Sequence, residues 1–179
     1  RKLESLLQAL AHQVGHQVSF NEIANLVGLD NQTVENYVSL LEKAFIIFSL
    51  PSLSRNLRNE LKKSRKIYFF DNGLRNSTIS SLMTLTQRQD KGQLWENFLI
   101  SERHKYNQRK RRFVNSFFWR TTNQQEIDYV EEIDGKLLAF EFKWNEKKTP
   151  KAPKSFFNAY PNAEYKVITP ENYLEFIYF

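Results

Sequence analysis

Apolar residues spaced three and four apart open the chain. Leu3, Leu6, Leu7, Leu10 and Val14 line one side of a helix expected over residues 2–14, which Gly15 ends. Ser19-Phe20-Asn21-Glu22 has the spacing of a capping box, and Val18 and Ile23 are placed as its hydrophobic staple. A short second helix follows through Val27, and Gly28 and Leu29 turn the chain. Asp30 caps a third helix over 31–44, with Val34, Tyr37, Val38 and Leu41 as its buried stripe. Residues 45–50 (FIIFSL) and 66–70 (KIYFF) read as paired strands, with 51–65 between them as a wing. Helix, short helix, tight turn and helix make the helix-turn-helix pattern. Residues 1–75 are therefore expected to form a winged helix.

Residues 76–91 are polar, poor in aromatics, and read as a connecting segment. A helix opens at Gly92 with Leu94, Trp95, Phe98 and Leu99 as its apolar face, and Glu96 at the margin of that face. Strands are expected at 113–120, along a hairpin centred on Asp134-Gly135, and at 164–169. A helix at 152–160 precedes the last strand, and the aromatic tail 173–179 packs on the core. This order predicts an α/β (α+β) domain over 92–179 with a mixed sheet and flanking helices. Trp95, Trp119 and Trp144 read as core residues. His12 and His16 are four apart but separated by Gly15, and with His104 they are assigned no role.

The hairpin carries the candidate chemistry. Asp and Gly tolerate the positive φ of a two-residue type I′ turn, so Ile133 should face Lys136. Asp128 then falls opposite Glu141, and Glu126 opposite Lys143, all on one face because side chains alternate with period two. Ile127, Tyr129, Leu138, Phe140 and Phe142 would cover the other face. Directly opposed residues have Cβ atoms roughly 4.5–5.5 Å apart. Two carboxylates that close repel unless a cation or a shared proton lies between them. Mg²⁺ commonly takes one or two carboxylates plus waters. The alternative reading is an ordinary polar sheet face, with Glu126 and Lys143 as a cross-strand pair.

Composition narrows the class. Of 179 residues, 41% are hydrophobic and 15% aromatic, including 15 Phe and 8 Tyr, which suits a packed globular protein. No apolar run is long enough to span a membrane, and no signal-peptide pattern is present. Cysteine is absent, which excludes disulfides and thiol chemistry and fits a cytoplasmic location. An arginine first residue and an amphipathic first turn read as a fragment of a longer chain. Net charge is +6, but it is concentrated. Residues 55–66 hold six basic residues and one acid, and residues 103–112 hold six basic residues and no acid. Two such segments point to a polyanion, most often nucleic acid. In the wing the candidates are Arg55, Arg58, Lys62, Lys63 and Arg65, and in the second half Arg109, Lys110, Arg111, Arg112 and Arg120. The third helix offers Gln32, Thr33, Asn36 and Lys43 to base edges, yet it also carries Glu35 and Glu42, which phosphates repel. A protein-interaction role for this domain stays open beside DNA contact.

A helix with Glu96, a strand with Asp128, and a strand with Glu141-Phe142-Lys143 together resemble the PD-(D/E)XK nuclease fold. More closely, the chain is similar to the C-terminal region of a family of prokaryotic AAA-type ATPases, where a winged helix precedes a nuclease-like domain of unknown function. The matching pieces are FNEIANLVGLDNQTVENYVSLLEKAFIIFSL, KIYFFDNGLRN, GQLWENFLISE, WRTTNQQEIDYV and LLAFEFKW, which cover most of the chain. The resemblance implies an N-terminal ATPase domain outside this sequence. No phosphate-binding G-x-x-x-x-G-K-[ST] occurs, so ATP would bind only there.

The resemblance also implies site roles. Asp128 and Glu141 would hold Mg²⁺ or Mn²⁺, Lys143 would orient the attacking water and offset phosphate charge, and Glu96 would hydrogen-bond a metal-bound water. Arg120 and the basic run 109–112 would hold the substrate backbone. Ile127 stands where nucleases of this fold carry a proline, and no glutamine motif follows Lys143. The expected function is a nucleic-acid-associated module, on DNA first, with a metal-dependent phosphodiesterase site. A non-catalytic DNA- or protein-binding regulatory domain of the ATPase is the alternative.

Overall fold

The computed structural model describes residues 1–54, 65–145, 147 and 150–178. They form helices and two sheets, a mixed α/β architecture in two compact units. One unit is Arg1–Leu50 with Ser64–Ser101, and the other is Pro51–Lys63 with Glu102–Phe179. The two units divide inside a helix.

The first unit begins with α1 (Lys2–His12), β1 (Gln17–Val18), α2 (Phe20–Val27) and α3 (Asn31–Lys43). Its capping follows the sequence. Ser19 accepts the Glu22 N–H at 3.4 Å, and Asp30 accepts the Thr33 N–H at 2.8 Å. Gly28 closes α2 in the left-handed conformation. Leu6, Leu10, Ile23, Val34, Val38 and Leu41 are buried, as the helical spacing requires. β2 (Ile47–Pro51) and β3 (Arg65–Phe69) complete a sheet in the order β1-β3-β2. The central strand is the most buried, with Ile67, Tyr68 and Phe69 shielded from solvent. Arg55, Arg58, Lys62 and Lys63 lie outside the described residues.

The segment expected to be a polar connector is ordered by ion pairs. It holds the end of α4 (Asn72–Thr78) and a 3₁₀ turn at Leu85–Gln87. Buried Arg75 reaches the Ala11 carbonyl at 2.8 Å and Asp90 at 2.6 Å. Buried Arg88 binds Asp90 twice at 2.8 Å and also the Ser81 carbonyl. These bonds, led by that from Arg88, hold the Asp90 carboxyl down at about 2. Polar composition was read as a linker, but here the polar side chains satisfy one another.

Helix α5 (Lys91–Arg109) leads to β4 (Asn115–Arg120), β5 (Glu126–Ile133), β6 (Lys136–Phe142), α6 (Lys154–Ala159), β7 (Glu164–Ile168) and α7 (Tyr173–Tyr178). The sheet order is β4-β5-β6-β7. The first two pairings are antiparallel and the last is parallel. A parallel partner needs a crossover, and α6 supplies it. One side of the sheet packs Trp119, Ile127, Val130 and Ala139 with Phe156 of α6. Elsewhere Phe176 of α7 lies edge-on to Tyr129, Phe140 and Phe142. Trp95 and Trp119 are buried, but Trp144 is 40% exposed, beyond the last paired residue of β6, so it is not a core residue. Among the described residues no helix is long and apolar enough to cross a membrane.

Candidate functional site

The hairpin register is the expected one over its inner half. Asp134 and Gly135 both have positive φ, and pairing runs from Ile133 with Lys136 to Tyr129 with Phe140. A bulge then intervenes. Phe117 pairs with Val130 but Trp119 with Ile127, so Phe118 alone stands against both Asp128 and Tyr129. The extra residue changes the side to which Ile127 belongs. It was expected beside Tyr129 and Phe140, and it packs instead with Val130, Ala139 and Trp119.

Asp128 sits in this bulge, and its carboxylate accepts the Phe142 N–H at 2.8 Å. A side chain thus takes up a ladder donor where the strand bends. The Glu141 side chain is 15% exposed, and its carboxyl is raised, first by burial and then by the neighbouring Asp128 charge. The Lys143 ammonium, 2.6 Å from Glu141 Oε1, offsets part of that rise. Glu126 also raises it, more weakly, and forms an ion pair with Arg120 at 3.6 Å. Arg120 additionally binds Gln124. Tyr165 of β7 is raised by burial and then by Glu141 and Asp128. The structure therefore gathers Asp128, Glu141, Lys143 and Glu126 in one electrostatic neighbourhood of the second unit.

Glu96 belongs to the first unit. Its Oε1 accepts from the Tyr68 hydroxyl at 2.5 Å and from Lys66 Nζ at 3.2 Å, and both donors are buried in β3. The Gly15 backbone lies close by, since a Cβ there would stand 3.5 Å from the carboxylate. Next to it, fully buried Asn97 binds both the N–H and the carbonyl of Phe69, and also Asn72. The WEN stretch of α5 and the FFDN stretch that ends β3 are thus one hydrogen-bonded joint. Sequence reading had not singled out Asn97.

Two other residues escaped it. Arg103 was counted with the basic run, yet it is buried, and its Nε and Nη2 bind both oxygens of Glu131 at 2.7 and 2.6 Å. Asn107 and Tyr129 also donate to Glu131. The signal was present in the strand alternation, which sets Glu131 opposite Leu138 and on the side of Tyr129, with an arginine on the preceding helix. The remaining basic candidates, Arg109, Lys110 and Arg111, are exposed, and Arg112 is partly exposed, at the end of α5. Arg65 opens β3 with its guanidinium 4.6 Å over the Phe20 ring.

The carboxylates that could hold a divalent cation number two at the hairpin. Among the described residues no group of three or more His, Cys, Asp or Glu side chains is arranged as a metal cage. Two suffice for a hard cation that keeps most of its waters. The rise in Glu141 is led by burial and added to by the Asp128 charge, and a cation between the two carboxylates would relieve both. The residues present therefore fit such an ion.

Comparison with known proteins finds a match over each half of the chain. Residues 91–176 match a domain of unknown function, DUF4143, and residues 1–86 match another, DUF8612. An uncharacterized protein of Mycobacterium tuberculosis is 27% identical over 136 residues, covering 75% of this chain and 30% of its own length. A Mycobacterium bovis protein gives the same figures. An uncharacterized Haemophilus influenzae protein is 33% identical over 82 residues, 43% of this chain and 20% of its own. The chain spans under a third of the length of these relatives. No solved structure matches.

Proposed function

We propose that this chain is a nucleic-acid-associated module of an AAA-type ATPase, made of a winged helix and a PD-(D/E)XK-like domain that hydrolyses phosphodiesters. The element order α1-β1-α2-α3-β2-β3 with β3 central supports the winged helix. A helix, three antiparallel strands, a crossover helix and a parallel strand support the nuclease-like half. The ATPase assignment rests on the resemblance and on the greater length of the relatives.

One observation carries the catalytic reading. The Asp128 charge adds to burial in raising the Glu141 carboxyl, and the Lys143 ammonium lies 2.6 Å from Glu141 Oε1. Asp128 is fixed by the Phe142 N–H, so its orientation costs no reorganisation on binding. Mg²⁺ or Mn²⁺ held by Asp128 and Glu141 would supply Lewis-acid polarisation of a phosphoryl oxygen and a more acidic water. Lys143 would offset charge on the scissile phosphate. Glu126 holds Arg120 at the edge of the site, where it can meet a neighbouring phosphate. Glu96 acts by pinning β3 to α5 through Tyr68 and Lys66.

Calorimetric titration with Mn²⁺ tests this. The wild type should bind, Asp128→Asn and Glu141→Gln should not, and Glu96→Gln should bind as the wild type does. Cleavage of DNA and RNA substrates should follow the same pattern. Failure of the wild type to bind Mn²⁺, even with an oligonucleotide present, removes the catalytic reading. The exposed cations Arg109, Lys110 and Arg111, which need no metal, favour as the second reading a regulatory module that binds without cleaving. Its binding would fall steeply with salt and survive Asp128→Asn.

A further inference from the structure

We infer that the end of α5 and the turn behind it form a contact surface for an unpaired nucleic-acid strand, with Phe113 as the ring on which a base stacks. This rests on the nucleic-acid part of the reading above and is independent of cleavage.

The turn is built at a conformational cost. The Arg112 N–H bonds the Asn107 carbonyl at 2.9 Å, and the Arg111 N–H bonds Gln108 at 3.0 Å. That is the Schellman pattern, whose left-handed residue is usually glycine. Here it is Arg111, at φ +52°. A side chain in that conformation crowds its own backbone, so glycine would be the stabler choice. The chain instead places there the third of four consecutive cations.

These cations are held together against their repulsion. Arg109, Lys110 and Arg112 lie 5.7, 5.9 and 6.0 Å from the centre of one ring, Tyr106. Tyr106 is itself braced edge-on by Tyr178 at 5.8 Å. Among the described residues no carboxylate forms an ion pair with any of the four. Directly after them Phe113 is 98% exposed. A basic track with an exposed aromatic is the arrangement that binds single strands, since phosphates meet the cations and a base meets the ring. Bases inside a duplex are already stacked and gain nothing from Phe113. A lone ring buries too little surface to hold a bilayer, but it is enough for one base.

Fluorescence anisotropy with labelled oligothymidylate and a matched hairpin duplex, in EDTA to exclude cleavage, tests the proposal. Phe113→Ala should weaken single-strand binding about tenfold and leave the duplex unchanged, while Phe113→Trp retains binding. Arg111→Gly should raise the melting temperature yet weaken binding and reduce the salt slope by roughly 0.7, a split that a purely structural residue would not give. Equal binding by Phe113→Ala, or an equal loss on duplex, overturns the inference alone. A wild type that binds neither oligonucleotide, including one that binds only phosphatidylserine vesicles, overturns it together with the nucleic-acid reading.

Discussion

Replacing Glu131 by glutamine keeps the shape of the side chain and removes its charge from the most enclosed ion pair of the second unit. Glu131 is 0% exposed, and the Arg103 side chain is 3% exposed. The pair is bidentate at 2.6 and 2.7 Å, and Arg103 Nη1 also holds the Phe176 carbonyl at 2.7 Å, tying α7 to α5. Glutamine would leave a buried guanidinium without its counter-charge, a loss of roughly 3–5 kcal/mol. At about 2–4 °C per kcal/mol for a chain of this size, the melting transition should fall by roughly 6–20 °C. Differential scanning calorimetry is the suitable assay, because two compact units can melt in separate steps. The double change Arg103→Met with Glu131→Leu should recover most of the loss, since an apolar pair of similar volume carries no unpaired charge. A Glu131→Gln transition within about 2 °C of the wild type would refute the reasoning. So would a double variant no better than the single one. Asp128 lies on the same strand, so the variant should also loosen the carboxylate pair and weaken any metal binding.

Further outcomes follow from the same contacts. Glu141 is raised in the folded chain, so its ionisation opposes folding, and that stability is lost as pH rises through its folded value. Glu141→Gln should therefore melt at or above the wild type at pH 7, with the gap closing toward acid, and Mn²⁺ should reverse the order by stabilising the wild type alone. Asp90 is lowered, so its contribution is full above the ordinary carboxylate range and fades as pH falls toward about 2. Asp90→Asn should cost about 1.5–3 kcal/mol at neutral pH and nothing near that acid limit, read by denaturant titration across pH. Asn97→Ala should destabilise the first unit by about 1–3 kcal/mol, because it orphans a buried Phe69 N–H, and hydrogen exchange at Phe69 should rise accordingly.

The sequence by itself determined the local elements. Ser19 and Asp30 capped the helices they were expected to cap, Gly28 closed α2, and Asp134-Gly135 set the hairpin register, because each acts within a few residues of its own position. It also marked Asp128, Glu141 and Lys143 as neighbours, since alternation along two strands needs only a turn to become geometry. Tertiary structure decided what depends on a third element. The bulge opposite Phe118 appears only when β4 pairs with β5, and it alone moves Ile127 into the Trp119 cluster. Arg103 reads as one more surface cation until β5 brings Glu131 against it. The polar stretch 76–91 reads as a connector until Arg75, Arg88 and Asp90 find one another. In the last two cases the sequence shows a charge, and only the fold shows whether that charge meets water or a counter-charge.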